Sequence, residues 1–163
     1  MKKLLLILVI LIGGIILTSC PDNTTNPNII PKEIIPLDLA AHNVLMYINE
    51  FRKENLLDTL NWNAYLATTA GVHTKDMASG KYELGYHGTE ARADSINKYI
   101  PFSVNYEIVS TTKGNTDDAT NVYYLWRDYN RNALLANYKI AGVAVDTSKD
   151  GVYYFMIIMV LPK

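Results

Sequence analysis

One cysteine in 163 residues, Cys20, sets the terms on which this chain folds. A disulfide within the chain needs two, so the covalent staples of many small extracellular domains are excluded. Stability has to come from burying apolar surface. The residues from Cys20 onward suffice for one domain with a single core, and not for two comfortable ones. Apolar residues make up 49% of the chain, a share inflated by its first twenty positions.

Cys20 also stands at a boundary. Lys2 and Lys3 give a basic start, and Leu4 to Leu17 is an uncharged apolar run. Crossing a hydrocarbon core of roughly 30 Å takes about 20 apolar residues, and this run is shorter. A basic start, a short apolar stretch and then small residues, here Thr18 and Ser19, form the pattern of a cleaved secretory signal. Leu17-Thr18-Ser19-Cys20 resembles the lipobox of bacterial lipoproteins, whose cysteine carries the lipid (palmitate-type acyl chains) and becomes the new amino terminus. Cys20 to Pro36 then holds four of the six prolines. Proline removes backbone donors and fixes φ, so this stretch reads as a flexible, extended tether. The organisation expected is a signal peptide over 1–19, a tether over 20–36 and a folded domain over 37–163. Its partner would be a membrane, reached through lipidated Cys20, in the cell envelope and outside the cytoplasm. Of the 15 basic side chains, losing Lys2 and Lys3 leaves 13 against 16 acidic ones, with no basic run or basic–aromatic stripe. Nucleic acid is therefore not expected as a partner.

From Leu37 the apolar period is helical. Asp38 is placed to cap, and Val44, Leu45, Ile48 and Phe51 fall on one stripe, ending near Asn55. Leu56 to Trp62 is a connection. Asn61 or Asn63 can cap a second helix through Leu66, Ala67, Ala70 and Met77, which Gly80 stops. Lys81 to Gly114 is less regular, with strand character over Ser103–Thr112. Thr116, followed by Asp117 and Asp118, starts a third helix running to about Tyr129. Ile140–Asp146 and Val152–Val160 form a hairpin around Asp150-Gly151, and the run Tyr153–Val160 marks a central strand covered on both faces. Helices then pack on an antiparallel sheet, an α+β arrangement.

No self-contained catalytic motif is present: no phosphate loop, no paired-cysteine zinc site, no HExxH, no nucleophile elbow. Lipidation of Cys20 excludes a cysteine nucleophile. His42 lies opposite the apolar stripe, on the surface. His73 reads as a hydrogen-bonded helix residue. His87 sits in Gly85-Tyr86-His87-Gly88, a glycine-flanked loop, and loops on rigid scaffolds carry a disproportionate share of sites. The residues alone leave its role open between structure and site. Tyr123, Tyr124, Trp126 and Tyr129 have the spacing of a buried helix face more than of a carbohydrate or lipid groove. Tyr153, Tyr154 and Phe155 read as sheet packing.

Read together, Ile48-Asn49-Glu50-Phe51-Arg52, Leu60-Asn61-Trp62-Asn63, Leu66 and Ala70 resemble the opening of the CAP superfamily domain. That superfamily comprises cysteine-rich secretory proteins, antigen 5 and pathogenesis-related 1 proteins, with SCP-like bacterial members lacking disulfides. His87 matches the family's loop histidine and Glu107 its strand glutamate. Trp126, Arg131, Leu134 and Leu135 match a later helix and leucine pair, and Ile140–Val143 with Tyr153-Tyr154 match the closing strands. The resemblance spans about Leu39 to Val160. It implies an α-β-α sandwich of three to four helices around a small antiparallel sheet. It also implies a cleft where two His and one or two Glu suit a divalent metal such as zinc or an acid–base pair. This chain departs from the pattern. Ile108 follows Glu107 where the family has Asn, Asn130 stands at the second His position, and no Glu follows Glu107. Asn binds zinc poorly, and one His with one Glu is a thin ligand set, so no cofactor is expected. Three readings stay open. His87, Glu107 and Asn130 can satisfy one another's hydrogen bonds. With Tyr86 they can line a cleft for a small apolar ligand, an envelope component or a protein partner. Or His87 and Glu107 can serve as the acid–base pair of an envelope hydrolase or peptidase.

Overall fold

The computed structural model describes residues 37–114 and 119–163. The expected signal peptide, Cys20, the tether and the helix start at Thr116–Asp118 lie outside the described residues.

The first helix, α1 (Leu37–Glu54), buries Val44, Leu45, Ile48 and Phe51, the stripe read from the sequence. A two-residue strand, β1 (Asn61–Trp62), leads into α2 (Ala64–Ala78). Asn63 caps α2, its side chain accepting a hydrogen bond from the Leu66 amide. This satisfies one of the amides that a helix start leaves without a partner. Past Ser79, Gly80 takes φ +79°, a left-handed position at which a side chain would be strained. Then come α3 (Thr89–Tyr99), β2 (Phe102–Lys113), α4 (Ala119–Tyr129), the short α5 (Arg131–Leu134), β3 (Ile140–Thr147) and β4 (Val152–Pro162).

The sheet runs β1-β3-β4-β2. The long strands are antiparallel, and β1 adds a short parallel pair at one edge. β4 is central, and Phe155 to Val160 are all 0% exposed. Its alternate residues feed two cores, because successive strand side chains point to opposite faces. Phe155, Ile157 and Met159 pack with α1 and α4, while Met156, Ile158 and Val160 pack with Leu66, Ala70 and Ile96 of α2 and α3. That is the expected α-β-α sandwich. Gly142 lets α2 sit directly on β3: a Cβ there would fall 2.7 Å from Leu66 Cβ and closer still to the α2 backbone.

Three polar side chains tie the layers together. Asn49 holds the backbone of Leu60 at both ends, donating to its carbonyl at 3.0 Å and accepting from its amide at 2.7 Å. Arg52, 1% exposed, donates to the carbonyls of Asp58, Leu134, Ala136 and Tyr138. The Trp126 indole donates to Ser110 Oγ across the α4–β2 contact at 3.0 Å.

Two readings from the sequence are corrected. The stretch called irregular contains α3, a helix that hides its apolar signal because Ile96 is its one buried residue. The aromatic set on α4 divides: Trp126 is core, but Tyr124 is 46% and Tyr129 81% exposed. Four aromatics within seven residues subtend more than one face of a helix, so they cannot all point inward.

Candidate functional site

The site is built by the loop between α2 and α3 and by the edge strand β2. His73, buried within α2, fixes the loop by a 2.8 Å hydrogen bond to the Gly85 carbonyl. Burial is the main cause that holds the His73 imidazole below its ordinary value. Nearby Arg92 adds to this, while the Gly85 carbonyl, Glu107 and Asp76 act against it. Gly88, at φ +73°, turns the chain into α3, and the Arg92 amide bonds back to the Gly88 carbonyl.

One turn into α3, Arg92 reaches across to Glu107. The contact is bidentate: Nη2 lies 2.6 Å from Oε2 and Nε 3.0 Å from Oε1. Both side chains are well covered, 12% exposed for Arg92 and 3% for Glu107. Thr89 closes the arrangement. Its hydroxyl accepts from Arg92 Nη2 at 3.1 Å and lies 3.0 Å from Glu107 Oε2 and 2.7 Å from the Tyr86 carbonyl. Its single proton serves one of those two acceptors at a time. Arg92 Nη1 also donates to the His87 carbonyl. Fork-to-fork pairs of this kind are the strong class of charge-assisted hydrogen bonds.

The ion pair is a wall between two hollows. On one side, at the free edge of β2, about 750 Å³ is bordered by Tyr86, Thr89, Glu90, Asn105, Tyr106 and Glu107. On the other, between α2 and α3, about 370 Å³ is bordered by Val72, His73, Tyr82, His87, Ala91 and Arg92 among others. Of the expected site residues, Tyr86 and Glu107 share a hollow, while His87 and Asn130 are each placed elsewhere. Glu107 is bound by Arg92 and Thr89. The exposed His87 ring stacks on Tyr82, centroids 5.1 Å apart at 14°. Asn130 borders a third hollow of about 340 Å³ with Tyr106, Asp128 and Tyr129. Burial is the main cause that raises the Tyr86 phenol above its ordinary value. The trio of His87, Glu107 and Asn130 is thus not a mutually bonded network.

A divalent metal does not fit this arrangement. Among the described residues no three His, Cys, Asp or Glu side chains are placed to share an ion, and a guanidinium already holds both oxygens of Glu107. Sequence reasoning missed Arg92 because α3 went unrecognised; the one signal was local. Gly88-Thr89-Glu90 is a helix start, and a residue four after Gly88 lies one turn above that start. His42, expected on the surface, is exposed there but stacks on Trp62, centroids 3.9 Å apart.

The comparisons bear on this geometry. The model of the CAP family, described as the cysteine-rich secretory protein family, matches residues 45–160. No curated protein sequence matches the chain. Among solved structures, an outer surface protein of Borrelia burgdorferi superposes with TM-score 0.63 at 18% identity, covering 80% of this chain and 98% of its own. A cysteine-rich secretory protein of Staphylococcus aureus gives 0.58 at 19% identity, over 78% of this chain and 40% of the other, so this chain spans less than half of that protein. A venom allergen-like protein of Schistosoma mansoni gives 0.54 at 12%, over 76% and 89%. At such identities the likeness is one of fold.

Proposed function

The chain belongs to the cysteine-rich secretory protein (CAP) family, and on that premise we propose that it is a lipid-anchored, extracytoplasmic binding domain. Cys20 carries the lipid, residues 20–36 act as a tether, and the domain over 37–163 takes up an envelope ligand beside the Arg92–Glu107 wall without turning it over. Support for the location comes from the lipobox-like Leu17-Thr18-Ser19-Cys20 and from family members whose structures are described as outer surface or extracellular.

The bidentate hold of Arg92 on Glu107 carries the binding reading. A general base needs a carboxylate oxygen within reach of a substrate proton, and here both oxygens are engaged inside the protein. His87 stacks on Tyr82, on the other side of the wall. The hollow between α2 and α3, with Val72, Tyr82 and Ala91 in its lining, suits a small apolar group. The wider hollow at the β2 edge suits an envelope component.

The test is incubation of the full chain with purified cell envelopes. The chain is expected to cosediment with them and to release no soluble fragments. Fragments released at a rate lost in both His87→Ala and Glu107→Gln would replace this reading with that of a hydrolase or peptidase. Anchoring is read separately: Cys20→Ser should move the protein from the membrane fraction to the soluble fraction.

A further inference from the structure

Three tyrosines lie exposed around two hollows at β2. Tyr86 is 53%, Tyr106 41% and Tyr129 81% exposed. Tyr106 borders both the hollow shared with Tyr86 and the one shared with Tyr129. The two hollows adjoin at Tyr106, on the edge strand β2, as the two parts of a trough, with Tyr86 bordering one part and Tyr129 the other. Besides the rings the lining includes short, planar polar side chains: Asn105, Asn130, Asn132, Glu90 and Asp128.

This combination fits one ligand chemistry. The face of an aromatic ring is electron-rich, and it packs against the weakly positive C–H face of a sugar ring. Amides and carboxylates at the height of the rings pair with hydroxyl groups around the sugar's rim. A polyanion fits poorly, because Glu90 and Asp128 face the trough. Among the described residues its lining holds one cation, Arg131, which donates to Asn55 Oδ1 and lies over Phe51. An acyl chain fits poorly too, since it needs a dry, closed cavity and both parts of the trough are open to solvent. Two open parts side by side have room for more than one sugar ring.

We propose that the trough from Tyr86 through Tyr106 to Tyr129 binds an extended neutral glycan, with sugar rings stacked on the tyrosines. This rests on the reading of the Glu107 side as a binding site, and names its ligand.

The experiment is calorimetric titration of the full chain, held in a sugar-free detergent, with chitohexaose, maltohexaose, chitobiose and heparin. One of the neutral hexasaccharides should bind, and more tightly than the disaccharide. Tyr106→Ala should weaken it about tenfold, the range expected for losing one well-placed aromatic contact. Tyr129→Ala, at a side chain too exposed to matter to folding, should weaken the hexasaccharide severalfold and leave the disaccharide nearly unchanged. The proposal is overturned if neither hexasaccharide binds, if both variants bind like the parent, or if heparin is preferred. If envelopes still cosediment with the chain while both hexasaccharides fail, the glycan assignment falls alone; if cosedimentation fails as well, the binding reading falls with it.

Discussion

Gly142→Ala is expected to destabilise the domain far more than one methyl group ordinarily does. The new Cβ would stand 2.7 Å from Leu66 Cβ, and the first turn of α2 would crowd it more closely still. These neighbours are mostly backbone, so no rotamer change relieves them. Instead α2 must lift off β3, loosening Leu66 and Ala70 from Met156, Ile158 and Val160. Over-packing of this kind typically costs about 1–3 kcal/mol, and a clash with backbone belongs at the upper end. For a domain of this size, about 3 kcal/mol lowers the melting temperature by roughly 10 °C. Gly71→Ala supplies the contrast. It lies in the same helix, its added Cβ would meet Ala144 Cβ at an ordinary 3.8 Å, and alanine gains about 0.5–1 kcal/mol over glycine in a helix interior. Thermal melting of the two variants beside the parent decides the matter. Gly142→Ala melting within about 2 °C of the parent, or Gly71→Ala falling as far as Gly142→Ala, would refute the seating of α2 on β3 described above.

Two further outcomes follow from buried polar groups. Arg52→Met keeps the length of the side chain but takes the donor from the carbonyls of Leu134 and Tyr138, while the Ala136 carbonyl keeps its bond from the Tyr138 amide. With roughly 1–3 kcal/mol lost per buried unpaired group, urea unfolding should show a loss of at least about 2 kcal/mol, and a loss under about 1 would show that water replaces the clamp. The depressed His73 titration has a definite sign. The unfolded chain takes up the proton more readily, so this contribution to stability is fully present above about pH 6.5, the ordinary histidine value, and is lost as pH falls through the folded-state value. Urea midpoints at pH 7.5 and 5 should therefore fall further apart in the parent than in His73→Gln; equal shifts would show that other groups carry the effect.

How much of this was legible beforehand depended on how each segment meets the core. Tyr153–Val160 was readable as a central strand because covering both faces leaves a continuous apolar run. The α1 stripe and the Asn63 cap were readable because their signals are local. α3 was not, because a helix that buries Ile96 alone has almost no apolar period to detect. β1 is two residues long, below any periodicity. The family-matched Asn49 and Arg52 were visible as a pattern, but their partners, Leu60 and the carbonyls of 134, 136 and 138, are fixed by the tertiary fold. The same holds at the site. His87 and Glu107 were both found, yet their separation depends on Arg92, which could not be placed while its helix was unrecognised. Tyr106 passed unnoticed for a related reason: a tyrosine on a strand reads as packing until the strand proves to be the edge of the sheet.

The central claim is that Glu107 is held inside the protein by Arg92, and a double-mutant cycle tests it most directly. Stability would be measured for Arg92→Met, Glu107→Gln and the pair. Each single change leaves a covered charge without its partner, a loss of about 3–5 kcal/mol in buried pairs. The double change should cost well under the sum, by about 1–3 kcal/mol of coupling. Additive losses would contradict the account. So would a Glu107→Gln variant as stable as the parent or more so, the behaviour of a free carboxylate kept for function at the expense of stability.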